Sequence, residues 1–199
     1  IVMLLSDIDI KREMEHGELR IDGMSNDAIQ PASVDLQLDN HFRVFNYSKY
    51  TCIDPGEEQE NLTTRGETTP HGMYILPPGM FMLSSTKETI TLGSSLAGRL
   101  EGKSSLGRLG LVVHSTAGFI DPGFSGQLTL ELSNVSGLPI LLYAGMKICQ
   151  LCFFRLSTPV ETPYGSDSLR SKYQGQVGPT PSESWRNFYT DSSGIVLPL

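Results

Sequence analysis

Glycine and proline recur along this chain at short intervals and leave little room for long helices. The 199 residues include 20 Gly and 12 Pro, and both residue types interrupt regular structure. Between these breaks lie short apolar or alternating segments of the kind that form strands. They are Met73–Leu76, Met80–Ser85, Leu111–His114, Gln127–Ser133, Ile140–Tyr143 and Lys147–Phe154. Many short strands at this spacing predict an all-β sandwich or jelly roll.

The N-terminal segment is the exception to the strand pattern. Ser6 followed by Asp9 resembles a capping box, and Gly17 is suited to end a helix that covers about residues 7–16. Further along, Pro77-Pro78-Gly79 and Asp121-Pro122-Gly123 predict turns, because Pro fixes φ and Gly permits a positive φ. We therefore expect one short N-terminal helix followed by strands and tight turns.

Charge and composition exclude several classes of function. The formal charge is -7, with 15 Lys and Arg against 22 Asp and Glu, whereas polynucleotide-binding proteins usually carry a basic excess. A small phosphorylated ligand stays possible, because a few local cations suffice to hold it. No apolar run approaches the roughly 20 residues of a membrane span, and the apolar start Ile1–Leu5 is too short for a secretion signal. Three cysteines suggest no disulfide framework and fit the reducing cytoplasm.

The last part of the chain differs in composition from the rest. Residues 3–165 carry the strand pattern and are expected to form one β domain, whereas residues 166–199 are rich in Gly, Pro, Ser and charge. Such a segment is either a disordered tail or a flexible arm that becomes ordered over a ligand.

Two familiar hydrolase motifs are incomplete. Glu101-Gly102-Lys103-Ser104 resembles the end of a phosphate-binding P-loop, but Ala97 stands where the motif requires Gly, and we expect no buried strand before it. Ser104, His114 and Asp121 supply the residue types of a catalytic triad. The chain has no G-x-S-x-G turn to present such a serine, and the triad is rejected.

A zinc site is also disfavoured. His16-Gly17-Glu18 and Cys149-Gln150-Leu151-Cys152 together imitate a zinc deaminase signature. The two cysteines fall in a strand-like segment, where residues three apart point to opposite faces and cannot meet on one tetrahedral ion. We expect Cys149 and Cys152 to be small buried apolar residues instead.

The densest chemistry lies between residues 101 and 131. Ser104–Arg108 combines hydroxyl groups, a Gly and a guanidinium, which together suit the binding of anionic oxygens; the alternative is a polar loop with a surface Arg. Gln127–Ser133 alternates strictly, so that Thr129 and Glu131 share one face of a strand. Glu131 is then either a general base in a pocket or part of a solvated face. Periodicity alone leaves both interpretations open.

Five segments, in order, resemble the five conserved boxes of the trimeric dUTPase superfamily in its dCTP deaminase form, over roughly residues 3–190. These segments are Pro31–Leu36, Gly102–Arg108, Gly118–Gly123, Gly145–Gln150 and Ser171–Gln176. The sequence from Glu101 to Gly126 is similar above all to the bifunctional branch, which deaminates dCTP and then cleaves the triphosphate to release dUMP, ammonia and pyrophosphate.

The resemblance implies a distorted jelly roll, a homotrimer with active sites shared between subunits, and deamination without zinc. It also implies Mg²⁺ carried mainly on the substrate phosphates, with no metal ligands from the protein, and inhibition by dTTP. Three alternatives remain open: a deaminase that releases dUTP, an enzyme that acts on dUTP alone, and a trimer that binds nucleotide for regulation without turnover. A purely structural trimer is more distant.

The resemblance also implies roles for particular residues. Glu131 would be the general base, with Ser104 and Arg108 holding the water and the ring, and Asp121 would bind the sugar and activate water for the second step. The residues implied to contact the nucleotide are Lys103, Ser105, Leu106, Gly107, Thr116, Ala117, Thr129, Leu130, Gln150, Tyr164, Lys172 and Gln176. Gly118 and Phe119 resemble the bifunctional form at the position that separates the two branches. Asp35 is either an acid that serves the water shell of the metal or a residue that pairs within a turn.

Overall fold

Antiparallel strands make up most of the regular structure in the computed structural model, which describes residues 3–114 and 116–199. In this part of the chain the strands are β1 (Met3–Leu4), β2 (Leu19–Asp22), β3 (Ile29–Gln30), β4 (Ser33–Gln37), β5 (Arg43–Phe45), β6 (Thr63–Arg65), β7 (Met73–Leu76), β8 (Phe81–Leu92), β9 (Leu96–Gly102), β10 (Leu111–Val113), β11 (Phe119–Ile120), β12 (Ser125–Asn134), β13 (Ile140–Tyr143), β14 (Lys147–Arg155), β15 (Phe188–Thr190) and β16 (Val196–Pro198). The helices are α1 (Asp7–Glu15) and the single turn α2 (Ser104–Gly107).

Two six-stranded sheets form the body of the protein. In the first sheet the strands lie in the order β11-β9-β14-β4-β3, with β1 also paired to β14. In the second sheet the order is β10-β12-β8-β5-β6, with β2 also paired to β8. The pairs β7–β13 and β15–β16 form separate two-stranded sheets. The predicted all-β class with a jelly-roll arrangement of short strands is confirmed.

One cluster of buried apolar side chains joins the two sheets. Val34 and Phe153 from the first sheet and Met82 and Leu130 from the second are almost completely buried in it. Burial of each side chain of this size contributes about 1.5–3 kcal/mol, so this shared core holds the two sheets together.

Helix α1 forms where the capping pattern predicted it. The Ser6 hydroxyl accepts a hydrogen bond from the Asp9 backbone N–H at 3.3 Å, and the helix ends before Gly17, whose φ is +77°. Ile10 is fully buried, and Glu13 forms an ion pair with Arg155 at the end of β14. Of the helices in the described ranges, none has the length and apolarity needed to cross a bilayer.

Strand β9 corrects one sequence prediction. We expected no buried strand before the loop that resembles a P-loop, yet β9 is mostly buried and leads directly into Lys103. Ala97, which stands where a P-loop needs Gly, is itself completely buried within this strand. The P-loop reading therefore still fails at Ala97, although the argument from the missing strand was wrong.

Candidate active site

A cavity of about 900 Å³ opens on one face of the second sheet. Its floor comes from β5, β8 and β12, one wall from residues 53–63, another from residues 117–121, and part of its cover from residues 180–185 near the C-terminus. The cavity is therefore assembled from segments that are far apart in the sequence.

Glu131 enters the cavity because β12 alternates. Along this strand Leu130 and Leu132 are buried away from the cavity, whereas Thr129 and Glu131 are half-buried on the opposite face and line it. The structure thus supplies the inward-facing carboxylate that the pattern alone left undecided. Leu130 lies in the core, so only its backbone is left to contact a nucleotide.

Arg43 is a cavity residue that the sequence analysis missed. It pairs with Leu83 of β8, and Leu83 pairs in turn with Glu131 of β12. The Arg43 guanidinium donates to the Thr63 hydroxyl at 2.9 Å and to the Thr63 carbonyl at 2.7 Å. No local pattern pointed to this residue, because its place depends on which strands pair.

The wall formed by residues 117–121 depends on a close approach at Gly118. The Leu100 N–H donates to the Gly118 carbonyl at 2.7 Å, and a Cβ atom on Gly118 would lie only 2.7 Å from the Leu100 carbonyl oxygen. Ala117, Phe119 and Asp121 all line the cavity. Gly118 therefore permits the close packing of this wall against β9.

Two neighbouring positions behave differently from the rest of this wall. Thr116 is exposed and does not line the cavity, and Ser115 lies outside the described residues. His114, which the sequence analysis considered only within the rejected triad, lines the cavity with a left-handed φ of +62°. The backbone N–H of His114 donates to the Glu131 carbonyl at 2.9 Å. Both nitrogens of its ring are buried and have no hydrogen-bond partner in the described parts of the chain.

The C-terminal segment is hydrogen-bonded to the polar face of β12. The Gln176 side chain donates to the Gln127 carbonyl at 2.6 Å, and the Gly178 N–H donates to the Gln127 side chain at 2.6 Å. The Thr129 hydroxyl accepts from the Thr180 N–H at 3.1 Å. These contacts hold residues 176–180 against the edge of the cavity.

The aromatic residues of the same segment continue this contact. Tyr164 lines the cavity, packs against Phe124 with ring centroids 5.8 Å apart, and accepts a hydrogen bond from the Tyr173 N–H at 3.1 Å. The Tyr173 hydroxyl accepts from the Glu183 N–H at 3.1 Å. Lys172 is half-buried and does not line the cavity.

The serine-rich loop, defined here as Lys103–Arg108, does not reach this cavity within one subunit. Ser104, Ser105, Gly107 and Arg108 are exposed, and Leu106 packs partly on the core. None of these residues lines the cavity around Glu131. One copy of the chain therefore does not bring Glu131 together with the predicted Ser104 and Arg108.

Lys103 and Gln150 belong to a second polar cluster, on the first sheet. Gln150 pairs with Asp35 on one side and with Glu101 on the other. The Lys103 ammonium lies 2.5 Å from Asp35 Oδ1. Both predicted nucleotide ligands thus lie beside Asp35 rather than beside Glu131.

The charge of the cavity is strongly negative. Arg43 is the one Lys or Arg side chain that lines it in the described part of the chain, and seven carboxylates line it as well. Those acids are Asp54, Glu57, Glu58, Glu60, Asp121, Glu131 and Glu183. A polyphosphate in this cavity would require additional cations from outside it.

The two cysteines of β14 have different environments. Cys149 is completely buried and Cys152 is partly exposed. Burial raises the pKa of the Cys149 thiol, which holds it in the protonated form that binds metals poorly. In residues 3–114 and 116–199, no group of three His, Cys, Asp or Glu side chains is arranged to hold a metal ion.

Comparison with known proteins gives a consistent result. Residues 4–156 match the family model for dCTP deaminase-like proteins. A protein from Mycobacterium sp. (strain KMS), named dCTP deaminase, dUMP-forming, is 61% identical over 186 residues, which cover 94% of this chain and 98% of the relative. A protein of the same name from Nocardia farcinica (strain IFM 10152) is 58% identical over 193 residues, or 97% of each chain.

A solved structure shares the fold. The crystal structure of 2'-deoxycytidine 5'-triphosphate deaminase from Agrobacterium tumefaciens aligns with a TM-score of 0.57 at 23% sequence identity. The alignment covers 78% of this chain and 49% of that chain, so this chain matches about half of the length of that protein.

Proposed function

Because the chain belongs to the dCTP deaminase-like family, we propose that it converts dCTP and two water molecules to dUMP, ammonia and pyrophosphate. Relatives that are 58–61% identical over nearly their whole length carry the name dCTP deaminase, dUMP-forming. The observation that carries the proposal is the position of Glu131, which β12 projects into a cavity large enough for a nucleotide.

In the first step, water replaces the amino group at C4 of the cytosine ring. Glu131 takes a proton from the attacking water and transfers it to N3 of the ring; it then takes the proton of the new C4 hydroxyl and delivers it to the amino group, so that the C4 carbonyl forms and ammonia leaves. Ala117 and the backbone beside it line the base site, and Thr129 lies next to Glu131 on the same face of β12. The product of this step is dUTP.

The negative cavity supports an assembly of several subunits, and we propose a homotrimer. A triphosphate does not bind beside seven carboxylates and one guanidinium unless other cations approach it. The serine-rich loop is exposed and is available to a neighbouring copy. In the proposed trimer, Ser104, Arg108 and the loop N–H groups of one subunit complete the cavity of the next.

The C-terminal segment acts as a cover in this proposal. Tyr164 and Gln176 already line the cavity, and Lys172 would join them when a triphosphate is bound. The hydrogen bonds of Gln176 and Thr180 to β12 define the closed position of the arm. Closure excludes water other than the attacking molecule.

In the second step, water attacks the triphosphate of dUTP and pyrophosphate leaves. Asp121 binds the sugar and activates this water, and Gly118 and Phe119 shape the wall beside it. The phosphate oxygens of the substrate would hold Mg²⁺, with few ligands from the protein, and the ion would neutralise part of the triphosphate charge. The product dUMP retains one phosphate.

We propose that the deamination does not use zinc. The buried Cys149 thiol supports this view, because a cysteine must lose its proton to bind zinc and burial raises the pKa of this thiol. The three free cysteines fit a reducing compartment, and we place the reaction in the cytoplasm. Binding of dTTP at the same cavity would make it an inhibitor, because it shares the sugar and triphosphate of the substrate.

Product analysis of dCTP turnover tests the proposal. Purified protein with dCTP and Mg²⁺ is expected to release ammonia and to accumulate dUMP and pyrophosphate in equal amounts. Accumulation of dUTP would reduce the protein to a deaminase, and activity on dUTP alone would make it a diphosphatase. Tight dCTP binding without ammonia would favour a regulatory protein. Loss of activity after chelation that only zinc restores would contradict zinc independence.

A mixing experiment tests the shared site. Glu131→Gln and Arg108→Ala variants, each inactive alone, are refolded together from denaturant. If neighbours share each site, mixed trimers contain some cavities with both functional side chains, and ammonia release returns to a measurable fraction of the wild-type rate. A mixture as inactive as its components would contradict the arrangement.

A further inference from the structure

Outside the cavity, a buried carboxylate contacts two ammonium groups. Asp35 on β4 is only 4% exposed. Its Oδ1 atom lies 2.5 Å from the Lys103 ammonium, and its Oδ2 atom lies 3.5 Å from the Lys147 ammonium. A buried carboxylate is costly without partners, and the two ammonium groups offset that cost. These contacts tie Asp35 of β4 to the end of β9 and to the start of β14.

Lys103 connects this charge to the serine-rich loop. It is the N-cap residue of α2, and its carbonyl accepts hydrogen bonds from the N–H groups of Leu106 and Gly107, each at 3.0 Å. Helix α2 has no side-chain cap and no buried residue of its own. The Lys103 side chain is therefore one of two anchors of this short turn, the other being Leu106, which packs partly on the core.

Lys147 extends the anchor to a second segment. Its ammonium donates to Asp27 Oδ2 at 2.7 Å and to the Asp27 carbonyl at 3.2 Å. The chain of contacts runs from the loop before β3, through the start of β14 and the middle of β4, to the start of α2. It joins three segments of the first sheet to the serine-rich loop.

We propose that Asp35 is a positioning residue for the serine-rich loop, acting through Lys103, with Lys147 as the second cation that holds the carboxylate in place. The inference rests on the proposed function, because that function gives the loop its role toward the nucleotide. Asp35 holds the Lys103 ammonium, and Lys103, as the N-cap of α2, positions the backbone from which Ser104 and Arg108 project. Its carboxylate serves the loop and touches neither the nucleotide nor the reacting water.

The first test is Asp35→Asn, with Asp22→Asn as the matched control. Asp22 makes the same kind of contact with Arg20, but on the exposed surface of β2. Asp35→Asn keeps the shape of the side chain but removes its negative charge. The contact with Lys103 is then weaker, and we expect the serine-rich loop to become more mobile. A displacement of about 1 Å at a reacting group can reduce turnover by roughly 100-fold, and we expect a loss of that order in kcat/KM for dCTP, in both KM and kcat. Asp22→Asn should stay within about twofold of wild type.

Hydrogen exchange supplies a readout that does not depend on activity. The N–H groups of Gly107 and Arg108 donate to the carbonyls of Lys103 and Ser104. Their exchange is expected to become about tenfold faster or more in Asp35→Asn, while exchange in β12 stays unchanged. Unchanged exchange in the loop would overturn the inference. If wild-type protein fails to turn over dCTP, the proposed function fails, but the exchange experiment still tests the anchor.

A double-mutant cycle guards against a general loss of structure. Lys103→Met keeps the apolar stem and removes the ammonium, and it should loosen the loop as Asp35→Asn does. Because the two side chains act as one pair, the double variant should show no greater effect on exchange than either single variant. Additive effects would overturn the inference. If Asp35→Asn does not fold, the exchange of the loop in Lys103→Met is the test of the inference. Wild-type exchange rates in that variant would overturn it.

Discussion

Arg43 and Glu131 occupy one row of the second sheet, on either side of Leu83, with which each is directly paired. Adjacent strands lie about 4.8 Å apart, so the two backbones are roughly 10 Å apart across β8. Residues in one row of an antiparallel sheet point to the same face, and all three side chains line the cavity. Both side chains thus line the same cavity, and the Arg43 guanidinium is held by Thr63 of β6, on the side of β5 that is away from Glu131.

The first prediction concerns that base. Glu131→Gln keeps the size of the side chain but cannot take a proton from water. Proton transfer by a positioned group contributes about 100-fold to 10,000-fold to the rate, so we expect ammonia release to fall by roughly 1,000-fold. Thermal unfolding should be unchanged, because Glu131 is not part of the core. Ammonia release and unfolding are measured on the same preparation.

Glu15→Gln is the control for this variant. Glu15 is exposed at the end of α1, far from the cavity lining, and the same chemical change there should leave turnover at the wild-type level. A Glu131→Gln protein with near-normal turnover would remove Glu131 from the mechanism.

The second prediction concerns the close contact at Gly118. In Gly118→Ala, the new Cβ atom would lie 2.7 Å from the Leu100 carbonyl oxygen, so the backbone of one strand must move. Overpacking of this kind costs about 1–3 kcal/mol. We expect the free energy of unfolding in urea to fall by that amount. The shift should also displace Asp121, so that dUTP accumulates during dCTP turnover.

Gly137→Ala provides the comparison, since its added Cβ atom would contact nothing within 4 Å. It should change neither the stability by more than a few tenths of a kcal/mol nor the products. Equal free energies of unfolding for the two variants would show that the backbone at residue 118 accommodates a Cβ atom without loss of stability.

The third prediction concerns the arm. Thr129→Val keeps the shape of the side chain and removes the hydroxyl that accepts from the Thr180 N–H. An unsatisfied donor costs about 1–3 kcal/mol, which should shift the arm toward an open state. We expect a roughly tenfold higher KM for dCTP and faster tryptic cleavage at Lys172. In Thr89→Val, by contrast, the lost hydroxyl has no hydrogen-bond partner among the described residues, and cleavage should be unchanged. Equal cleavage rates in the two variants would contradict a tether at Thr129.

The fourth prediction concerns pH and Glu88. Glu88 is completely buried; its Oε2 atom accepts from the Gln37 N–H at 2.9 Å, whereas Oε1 has no partner in the described ranges. Burial raises the pKa of this carboxyl above its ordinary value near 4.5. The folded state therefore binds the proton more tightly than the unfolded state, and stability declines as pH rises from 4.5 through the pKa of the folded protein.

Replacement of Glu88 by glutamine removes the loss of stability that comes with ionisation of the buried carboxyl. We expect Glu88→Gln to unfold at a higher temperature than wild type at pH 7, with the difference shrinking toward pH 4, where Glu88 is protonated. Unfolding temperatures measured from pH 4 to 8 give the comparison, with Glu15→Gln as the exposed control. A variant that is less stable than wild type across this range would show that the ionised carboxylate is needed.

The sequence predicted several strands because their pattern is local. The six predicted segments all lie wholly or largely within strands, and α1 formed at its capping residues. Strand β9 was missed because it contains glycine, which normally indicates a turn. Inside the sheet, Gly98 instead makes room for Leu151 and Ile120, whose atoms would lie 3.3–3.4 Å from an added Cβ. Such a reason exists only once the neighbouring strands are in place.

The candidate site was partly predictable for the same reason. The alternation of β12 indicated that Glu131 and Thr129 share a face, and the family motifs marked Asp121 and Gln176. Arg43 depends on the pairing of β5 with β8, which no single segment encodes. The serine-rich loop lies away from the cavity within one subunit, and the sequence order of the motifs does not indicate this separation.

The alternation of β12 also limits how this protein can change during evolution. Point substitutions along the strand leave every other side chain on its own face. An insertion or deletion of one residue between Thr129 and Glu131 would instead turn the carboxylate into the core and a leucine into the cavity. We therefore expect length variation among active relatives to collect in the connecting loops, with this strand conserved in length even where its residues differ.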